Sequence, residues 1–296
     1  MGNVALTIVL TFIGGAMGSM FSPMIMVIAY AWSAILAPVI GNTFFEQDIV
    51  NIMLLPCVAF AGGIPAIAFA ANTRKHGVSG LDIFVPNWNA TNDWLVHMVG
   101  GIFGVLGYAL MELCVCLHIP GDAGAISIVA ANVILRKICY RQKLITCDPS
   151  QMGEIWKHLI SNKSKQLITP VIWGAFVGLV VCFTGNTSIM FCVSAITLIV
   201  IFFEPRFPVT HHMSVAASLA AAAFGNSMAM NMIAGAAGAV LASAVFEISN
   251  VWIGHGKFKE NHREISHKYI TYIDPPSCAV TVSSIVIALL AGLISH

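Results

Sequence analysis

The sequence predicts an all-α, polytopic membrane protein with about ten transmembrane helices, and three observations carry this prediction. Of the 296 residues, 58% are hydrophobic and only 9% are charged, whereas a soluble domain carries about 25% charged residues. Most of the apolar runs approach the roughly 20 residues that an α-helix needs to cross a bilayer. They also lack the alternation of polarity over about ten residues that is typical of transmembrane β-strands.

Ten hydrophobic segments follow one another along the chain, and some of them are short or interrupted by glycine and proline. No basic residues precede the first segment, so we do not expect a cleavable signal peptide. The segments are residues 2–19, 21–40, 49–72, 93–118, 121–140, 165–184, 188–204, 209–225, 227–253 and 275–296.

The basic residues support this number of spans and predict an orientation. All fourteen lysines and arginines lie in, or at the helix ends beside, the loops that follow odd-numbered spans. Because cytoplasmic loops are enriched in Lys and Arg, we expect the odd-numbered loops to be cytoplasmic and both termini to lie outside. The expected location is a bacterial-type inner membrane or plasma membrane.

The two halves of the chain resemble each other. NDWLVHMVGGIFGVLGYAL from Asn92 aligns with NSMAMNMIAGAAGAVLASA from Asn226, and GDAGAISIVAANVIL around Asp122 aligns with IDPPSCAVTVSSIVIAL around Asp274. Five spans per half would reverse the second half in the membrane, so we predict an inverted-topology repeat, as in many secondary transporters. The predicted units are a first repeat at residues 1–145, a cytoplasmic linker at 146–164 and a second repeat at 165–296.

Asp122 and Asp274 begin the last span of each half. Aspartate is a good N-cap because its carboxylate accepts hydrogen bonds from unpaired N–H groups, and Pro275 suits the first helical position. One interpretation is ordinary capping at the membrane interface. The other is that these helix starts dip below the surface and face a solute path. Span three, with Gly63 and Pro65, and the short span eight favour the second, because such spans at matching positions indicate a binding site.

Several polar residues inside the spans are candidates for this path. His97 and Asn231 occupy matching positions in the two halves, and we expect solute contact there; a helix–helix hydrogen bond is the alternative. Glu112 and Glu247 are candidate proton or coupling-ion sites, because a carboxylate within a span is costly and by default functional. The alternative is that both stay hydrated near the headgroups. Further candidates for solute contact open the eighth span: Thr210, His211 and His212.

Nothing in the sequence indicates an enzyme. There is no Walker motif, no G-x-S-x-G and no H-E-x-x-H, which are signatures of nucleotide binding and hydrolysis. We therefore predict no catalytic residues, no cofactor and no metal site. The expected partners are the lipid bilayer and a small solute or inorganic ion, and no nucleic acid is expected. A homo-oligomer is left open.

One motif resembles a known family. DPPSCAVTVSSIV, which follows a Gly-rich span, resembles the HPP family of integral membrane proteins, in which His-Pro-Pro opens an Ala/Thr-rich span. Asp274 stands where that family has histidine, and Pro275 and Pro276 are retained. GDAGAISIVAANV has a similar layout without the prolines. The resemblance implies a channel or transporter for small inorganic anions such as nitrite.

These observations favour a transporter that moves a small solute or ion by alternating access, with proton or cation coupling. Two alternatives remain: a channel with a continuous pore, and a membrane subunit of a larger transport or ion-pumping complex.

Overall fold

The structure is a computed structural model that describes residues 3–145, 167–205, 207–255 and 271–294. These residues form helices and connecting loops without any β-strand. The all-α prediction is therefore confirmed for this part of the chain. The predicted linker at residues 146–164 lies outside the described residues.

Helices of the first half follow the predicted spans closely. Only Ser22 separates the first two helices, and its hydroxyl caps the second by accepting from the N–H of Ile25. The helices are α1 (Val4–Phe21), α2 (Pro23–Ile40), α3 (Ala59–Asn72), α4 (Asn87–Thr91), α5 (Trp94–Cys116) and α6 (Ala123–Ile134). A π-helical turn, Leu135–Cys139, continues α6.

The second half contains five described α-helices. They are α7 (Thr169–Thr184), α8 (Ile189–Ile196), α9 (His211–Phe224), α10 (Met228–Ser249) and α11 (Pro275–Ile294). A 3-10 segment, Thr197–Phe202, continues α8, and a π-helical segment, Asn250–His255, continues α10.

The third predicted span is broken, at a different place from the one its glycines suggest. A π-helical segment, Phe45–Met53, ends just before Pro56, and α3 begins only at Ala59. Proline interrupts a helix because it lacks the N–H donor and its ring collides with the preceding turn. Gly63 and Pro65 lie inside α3, so the interruption precedes them.

Apolar helices of membrane-crossing length are present among the described residues. Five are long and apolar enough to span a bilayer: Val4–Phe21, Pro23–Ile40, Trp94–Cys116, Met228–Ile253 and Pro275–Leu293. Shorter apolar helices lie at Ala59–Asn72, Thr169–Thr184 and Ile189–Phe202. Several long apolar helices are compatible with a membrane location, while the count of ten spans and their orientation stay predictions.

Glycines allow the closest helix contacts. A Cβ atom added at Gly15 would overlap the carbonyl oxygen of Gly100, and one added at Gly100 would lie 2.7 Å from the carbonyl oxygen of Gly15. The α7 and α10 backbones approach each other in the same reciprocal way at Gly174 and Gly235. Small residues at a crossing let two helix backbones approach closely, which is how many membrane helices associate.

The interior joins the two halves. Almost all of α3 is buried, and α3 packs against α1, α2 and α5. The largest apolar cluster contains residues of α2, α3, α6 and α8, together with Tyr272 just before α11. Across the two halves, α2 packs on α8 and α6 packs on α11.

Candidate functional site

The last helix begins with a buried carboxylate. Asp274 is 4% exposed, and its Oδ2 accepts hydrogen bonds from the N–H of Ser277 at 2.8 Å and from the Ser277 hydroxyl. The Tyr272 hydroxyl donates to Oδ1 at 3.3 Å. These partners are all neutral, and no Lys, Arg or His in the described ranges forms an ion pair with Asp274. Because an uncompensated buried charge is costly, a proton or a cation would be stabilised here.

The start of α6 lies against the middle of α11. Asp122 caps α6 by accepting from the N–H of Ala125 at 2.7 Å, and its own N–H donates to the Ser284 Oγ at 2.8 Å. Ser284 is central in α11, which runs from Pro275 to Ile294. Gly121 has a φ of +111°, and a Cβ there would lie 2.8 Å from the Ser284 Oγ, so the turn and the close approach both require glycine. Consequently α6 starts about half-way along α11.

Three predicted contact residues lie at the start of α9; Thr210 and His212 are buried, and His211 is half-buried. The Thr210 carbonyl accepts from the N–H and the hydroxyl of Ser214. His212 is 0% exposed and its ring stacks on Phe246, with centroids 4.4 Å apart. Neither ring nitrogen of His212, nor the Nδ1 of His211, has a hydrogen-bond partner within the described residues. Since buried polar groups are normally hydrogen-bonded, this helix start can bind water or a solute.

His97 and Asn231 lie near the starts of α5 and α10, in different surroundings. The Nδ1 of His97 lies 3.0 Å from the Ser19 Oγ, and the imidazole stacks on Trp88 at 5.8 Å. Asn231 is 8% exposed, and its Nδ2 donates to the Ser227 carbonyl at 3.0 Å. The helix–helix hydrogen bond that was the alternative for His97 is therefore present, to α1.

Asn231 lines an open cleft of about 430 Å³ between α7, α9 and α10. Its lining is uncharged, and the polar groups come from Asn226, Ser227 and Asn231 itself. At the corresponding end of α5, the imidazole of His97 instead stacks on Trp88 of α4. An open cleft thus borders the start of α10, whereas an aromatic contact with α4 borders the start of α5.

An ion-pair cluster joins the segment just after α3 to the residue just before α5. Arg74 and His76 both donate to the Oδ2 of Asp93, the latter at 2.8 Å. The hydrogen bonds from His76 and then Arg74 lower the pKa of Asp93 to about 2. Its Oδ1 accepts from the N–H of Leu95 at 3.0 Å, so one carboxylate both caps α5 and holds the loop.

The two glutamates are less enclosed than Asp274. Glu112 is exposed near the end of α5, and Glu247 is half-buried near the end of α10. The exposure of Glu112 is compatible with the alternative interpretation, in which this carboxylate stays hydrated near the lipid headgroups. Neither residue shares a described hydrogen bond with Asp122 or Asp274.

Arg136 is a buried charge that the sequence analysis grouped with the loop cations. It is 0% exposed and donates to the Thr271 carbonyl at 2.6 Å and to the Thr271 Oγ1 at 3.1 Å. Its neighbour Lys137 is exposed. No local pattern distinguishes the two residues, because the partner of Arg136 lies 135 positions away. Ser284 was missed for the same reason.

Metal ligands are not gathered at these helix starts. Within the described ranges, no group of three or more His, Cys, Asp or Glu side chains is arranged to hold a metal ion. The rings of His211 and His212 are 5.8 Å apart and nearly perpendicular, at 89°. The lack of a cofactor stays a prediction.

Comparison with known proteins assigns a family. The model of DUF7973, described as a family of unknown function, matches residues 49–152 and residues 140–295. The chain belongs to DUF7973. No curated protein and no solved structure matches it. Because the description of DUF7973 gives no activity, the function is argued from the residues themselves.

Proposed function

We propose that this member of DUF7973 is a membrane transporter that moves a small solute or ion by alternating access. The observation that carries the proposal is the 2.8 Å hydrogen bond from the Asp122 N–H to the Ser284 Oγ. It sets the start of α6 about half-way along α11. Helix termini at such a depth form substrate sites in many secondary transporters, since irregular backbone there must be buried in protein or line a cavity.

Equivalent glycine contacts support an internal repeat. Gly15 of α1 and Gly100 of α5 touch reciprocally, as do Gly174 of α7 and Gly235 of α10. In both halves the first helix therefore crosses the longest helix at a pair of glycines. The third helix, α3 or α9, packs on both members of its pair.

The glycine contacts also define a register. Gly100 and Gly235 are 135 positions apart (235 − 100), and so are Glu112 and Glu247 (247 − 112). The sequence alignment of the two halves gave a separation of 134 positions instead of 135. The two differ because neighbouring alignments of Gly/Ala-rich helices score almost equally. The contact register makes the two glutamates equivalent, which supports retaining both as candidate coupling sites.

Two of the contacts between the halves join a helix to its counterpart. The α2 helix packs on α8, and α6 packs on α11. In a two-fold arrangement an element beside the axis contacts its own equivalent. Together with the equivalent glycine crossings, these contacts support an inverted five-plus-five repeat of residues 1–145 and 165–296.

The proposal gives each polar group a role. Asp122 and Asp274 hold the two helix starts, and Glu112 and Glu247 are candidate proton or coupling-ion sites. The open cleft at Asn231 and the aromatic contact at the start of α5 belong to one state of an alternating-access cycle, and the other state reverses them. Contact with the solute is assigned to His97, Asn231, Thr210, His211 and His212.

Solute binding at the cleft can be tested on the purified chain. A ligand that binds only the folded state raises its melting temperature, so the chain is screened against small anions, cations and neutral solutes. We expect one class to raise the melting temperature, Asn231→Ala to lose this shift, and Thr187→Ala, in the loop beside the cleft, to keep it. No shift with any solute, or an equal shift in the Asn231→Ala variant, would count against this binding site.

A further inference from the structure

One face of α11 carries hydroxyl groups between the carboxylates of Asp274 and Asp122. Ser277, Thr281 and Ser284 recur at spacings of four and three residues, which places them on one stripe of an α-helix. Asp274 accepts from Ser277 at one end, and the N–H of Asp122 donates to Ser284 at the other. From residue 274 to residue 284 the stripe extends about 15 Å.

Thr281, in the middle of the stripe, has an unused hydroxyl. Its Oγ1 is buried and has no hydrogen-bond partner among the residues that the structure describes. Ser283, on a different face of the same helix, instead donates to the Ala279 carbonyl at 2.6 Å. Burying a hydroxyl without a partner is unfavourable, so the Thr281 hydroxyl is available to a ligand.

A second unpartnered group comes from α6. Asn132 is 0% exposed, and neither of its side-chain polar atoms has a partner in the described ranges. It lies on the same helix face as Leu135, which packs in one cluster with Tyr272. It also lies one turn before Arg136, which bonds Thr271. Asn132 therefore lies about level with the start of α11.

The charges around Asp274 do not neutralise it. Its titratable neighbours on the same segment are Tyr272 and Cys278. From α6, Arg136 is within electrostatic range of Cys278, but the described hydrogen bonds of its guanidinium go to neutral oxygens, two of them on Thr271. A positive ligand is thus favoured at Asp274.

We propose that Asp274, Ser277, Thr281, Ser284 and Asp122 line the route of a coupling cation, a proton or a sodium ion, along the contact between α6 and α11. This rests on the proposed function, because a coupling cation presupposes a carrier. Carboxylate and hydroxyl oxygens suit small hard cations, and chains of carboxylates carry protons in membrane pumps. Neighbours on the stripe lie about 5–6 Å apart, a gap that one water or one cation bridges.

An anion is disfavoured on the same route. One N–H at the start of each helix, a kind of group that attracts anions, already donates to a carboxylate: that of Ala125 to Asp122 and that of Ser277 to Asp274. The two carboxylates would in addition repel it. The hydroxyl stripe thus selects for positive charge, in contrast to the anion that the HPP resemblance implies.

The test uses the purified full chain in liposomes that carry a potassium diffusion potential, with the solute panel outside. Uptake of protons, followed by an internal pH-sensitive dye, and uptake of radiolabelled sodium are measured separately. Thr281→Val removes the unpartnered hydroxyl and keeps the side-chain shape. Ser283→Ala is the matched control, because it removes a buried hydroxyl on another face. Thermal stability in detergent is measured for both variants.

We expect the wild type and Ser283→Ala to take up one of the two ions at equal rates. Thr281→Val should lose most of this uptake while melting at or above the temperature of the wild type, since it loses no described hydrogen bond. Proton uptake alone identifies a proton route, and sodium uptake alone identifies a sodium route.

Other outcomes separate the two proposals. Equal uptake by Thr281→Val and the wild type, or equal losses in both variants, overturns the cation route. Wild-type protein that carries a solute but takes up neither ion also overturns it, and leaves the transporter proposal intact. Ion uptake that depends on Thr281, without transport of any solute, supports the route and contradicts the alternating-access carrier.

Discussion

Arg136 and Thr271 are 135 positions apart and are joined by two hydrogen bonds, to the Thr271 carbonyl at 2.6 Å and to its hydroxyl at 3.1 Å. The same guanidinium donates to the carbonyls of Leu144 and Ile253. Because arginine presents five donors in a fixed plane, one side chain connects the end of α6 with the segment after α10 and the segment before α11.

Replacing Arg136 by lysine should destabilise the protein. An ammonium group cannot reach all of these acceptors, and hydrogen bonds to charged groups contribute about 1.5–3 kcal/mol each. We expect the free energy of unfolding, measured in mixed detergent, to fall by about 2–4 kcal/mol. Lys137→Met, which changes the exposed neighbour, is the control and should be nearly neutral. Equal stability of Arg136→Lys and the wild type would contradict a stabilising role for the planar guanidinium group.

Alanine at the helix crossings should separate the paired helices. A Cβ at Gly15 or Gly174 would overlap the carbonyl oxygen of Gly100 or Gly235, and the backbone has no room to yield without moving a helix. We expect each variant to melt well below the wild type. Gly292→Ala, where a Cβ meets nothing within 4 Å, should be neutral or stabilising, because alanine is the better helix former by about 1 kcal/mol. Similar melting temperatures for all three variants would argue against these crossings.

The loop before α5 should weaken in acid. The pKa of Asp93 is lowered to about 2 by hydrogen bonds from His76 and Arg74, so its stabilising contribution is complete above the unfolded-state pKa of about 3.9. It is lost as the pH falls through about 2. Asp93→Asn removes this contribution and keeps a capping side chain.

We therefore expect the wild type to melt above Asp93→Asn at pH values over about 4, and the two curves to converge toward about pH 2. Asp48→Asn, at a residue without a described hydrogen bond, should follow the wild type throughout. A constant difference between the Asp93 variant and the wild type down to the lowest pH would show that the ion-pair cluster is not formed.

The inverted arrangement can be tested by labelling cysteines from the two sides of the membrane. With ten spans, Thr43→Cys and Thr187→Cys should react with an impermeant reagent in intact cells, whereas Lys75→Cys and Arg141→Cys should react only after permeabilisation. The unmodified chain controls for its own eight cysteines. Reaction of Thr187→Cys from the same side as Lys75→Cys would contradict the predicted topology.

Local signals predicted much of this fold. Hydrophobic length located the helices, and the capping chemistry of aspartate located the starts of α6 at Asp122 and α11 at Asp274. Both features depend on neighbouring residues, so they can be read from the letters. The position of the break before α3 was harder to predict from the sequence. Pro56, Gly63 and Pro65 all stand in one apolar run, and only packing decides which of them interrupts the helix.

The site was less predictable than the fold. Ser284 acquires its role from the N–H of Asp122, 162 positions away, and a serine inside an apolar helix has no sequence signal for such a contact. The exposure of Glu112 depends on which face of α5 its neighbours cover. For His97 the sequence left solute contact and a helix–helix hydrogen bond open, and the partner Ser19 became apparent only from the packing of α1 on α5.

The central claim is tested most directly by solid-supported-membrane electrophysiology on proteoliposomes of the purified chain. Small anions, cations and neutral solutes are applied with and without a proton gradient, beside an Asp274→Asn variant. The account predicts a transient current that saturates with one solute class, depends on the gradient and is lost in the variant. A current that scales with driving force without saturating would indicate a channel. Silence across the panel from folded protein would contradict an autonomous carrier and point to a missing subunit.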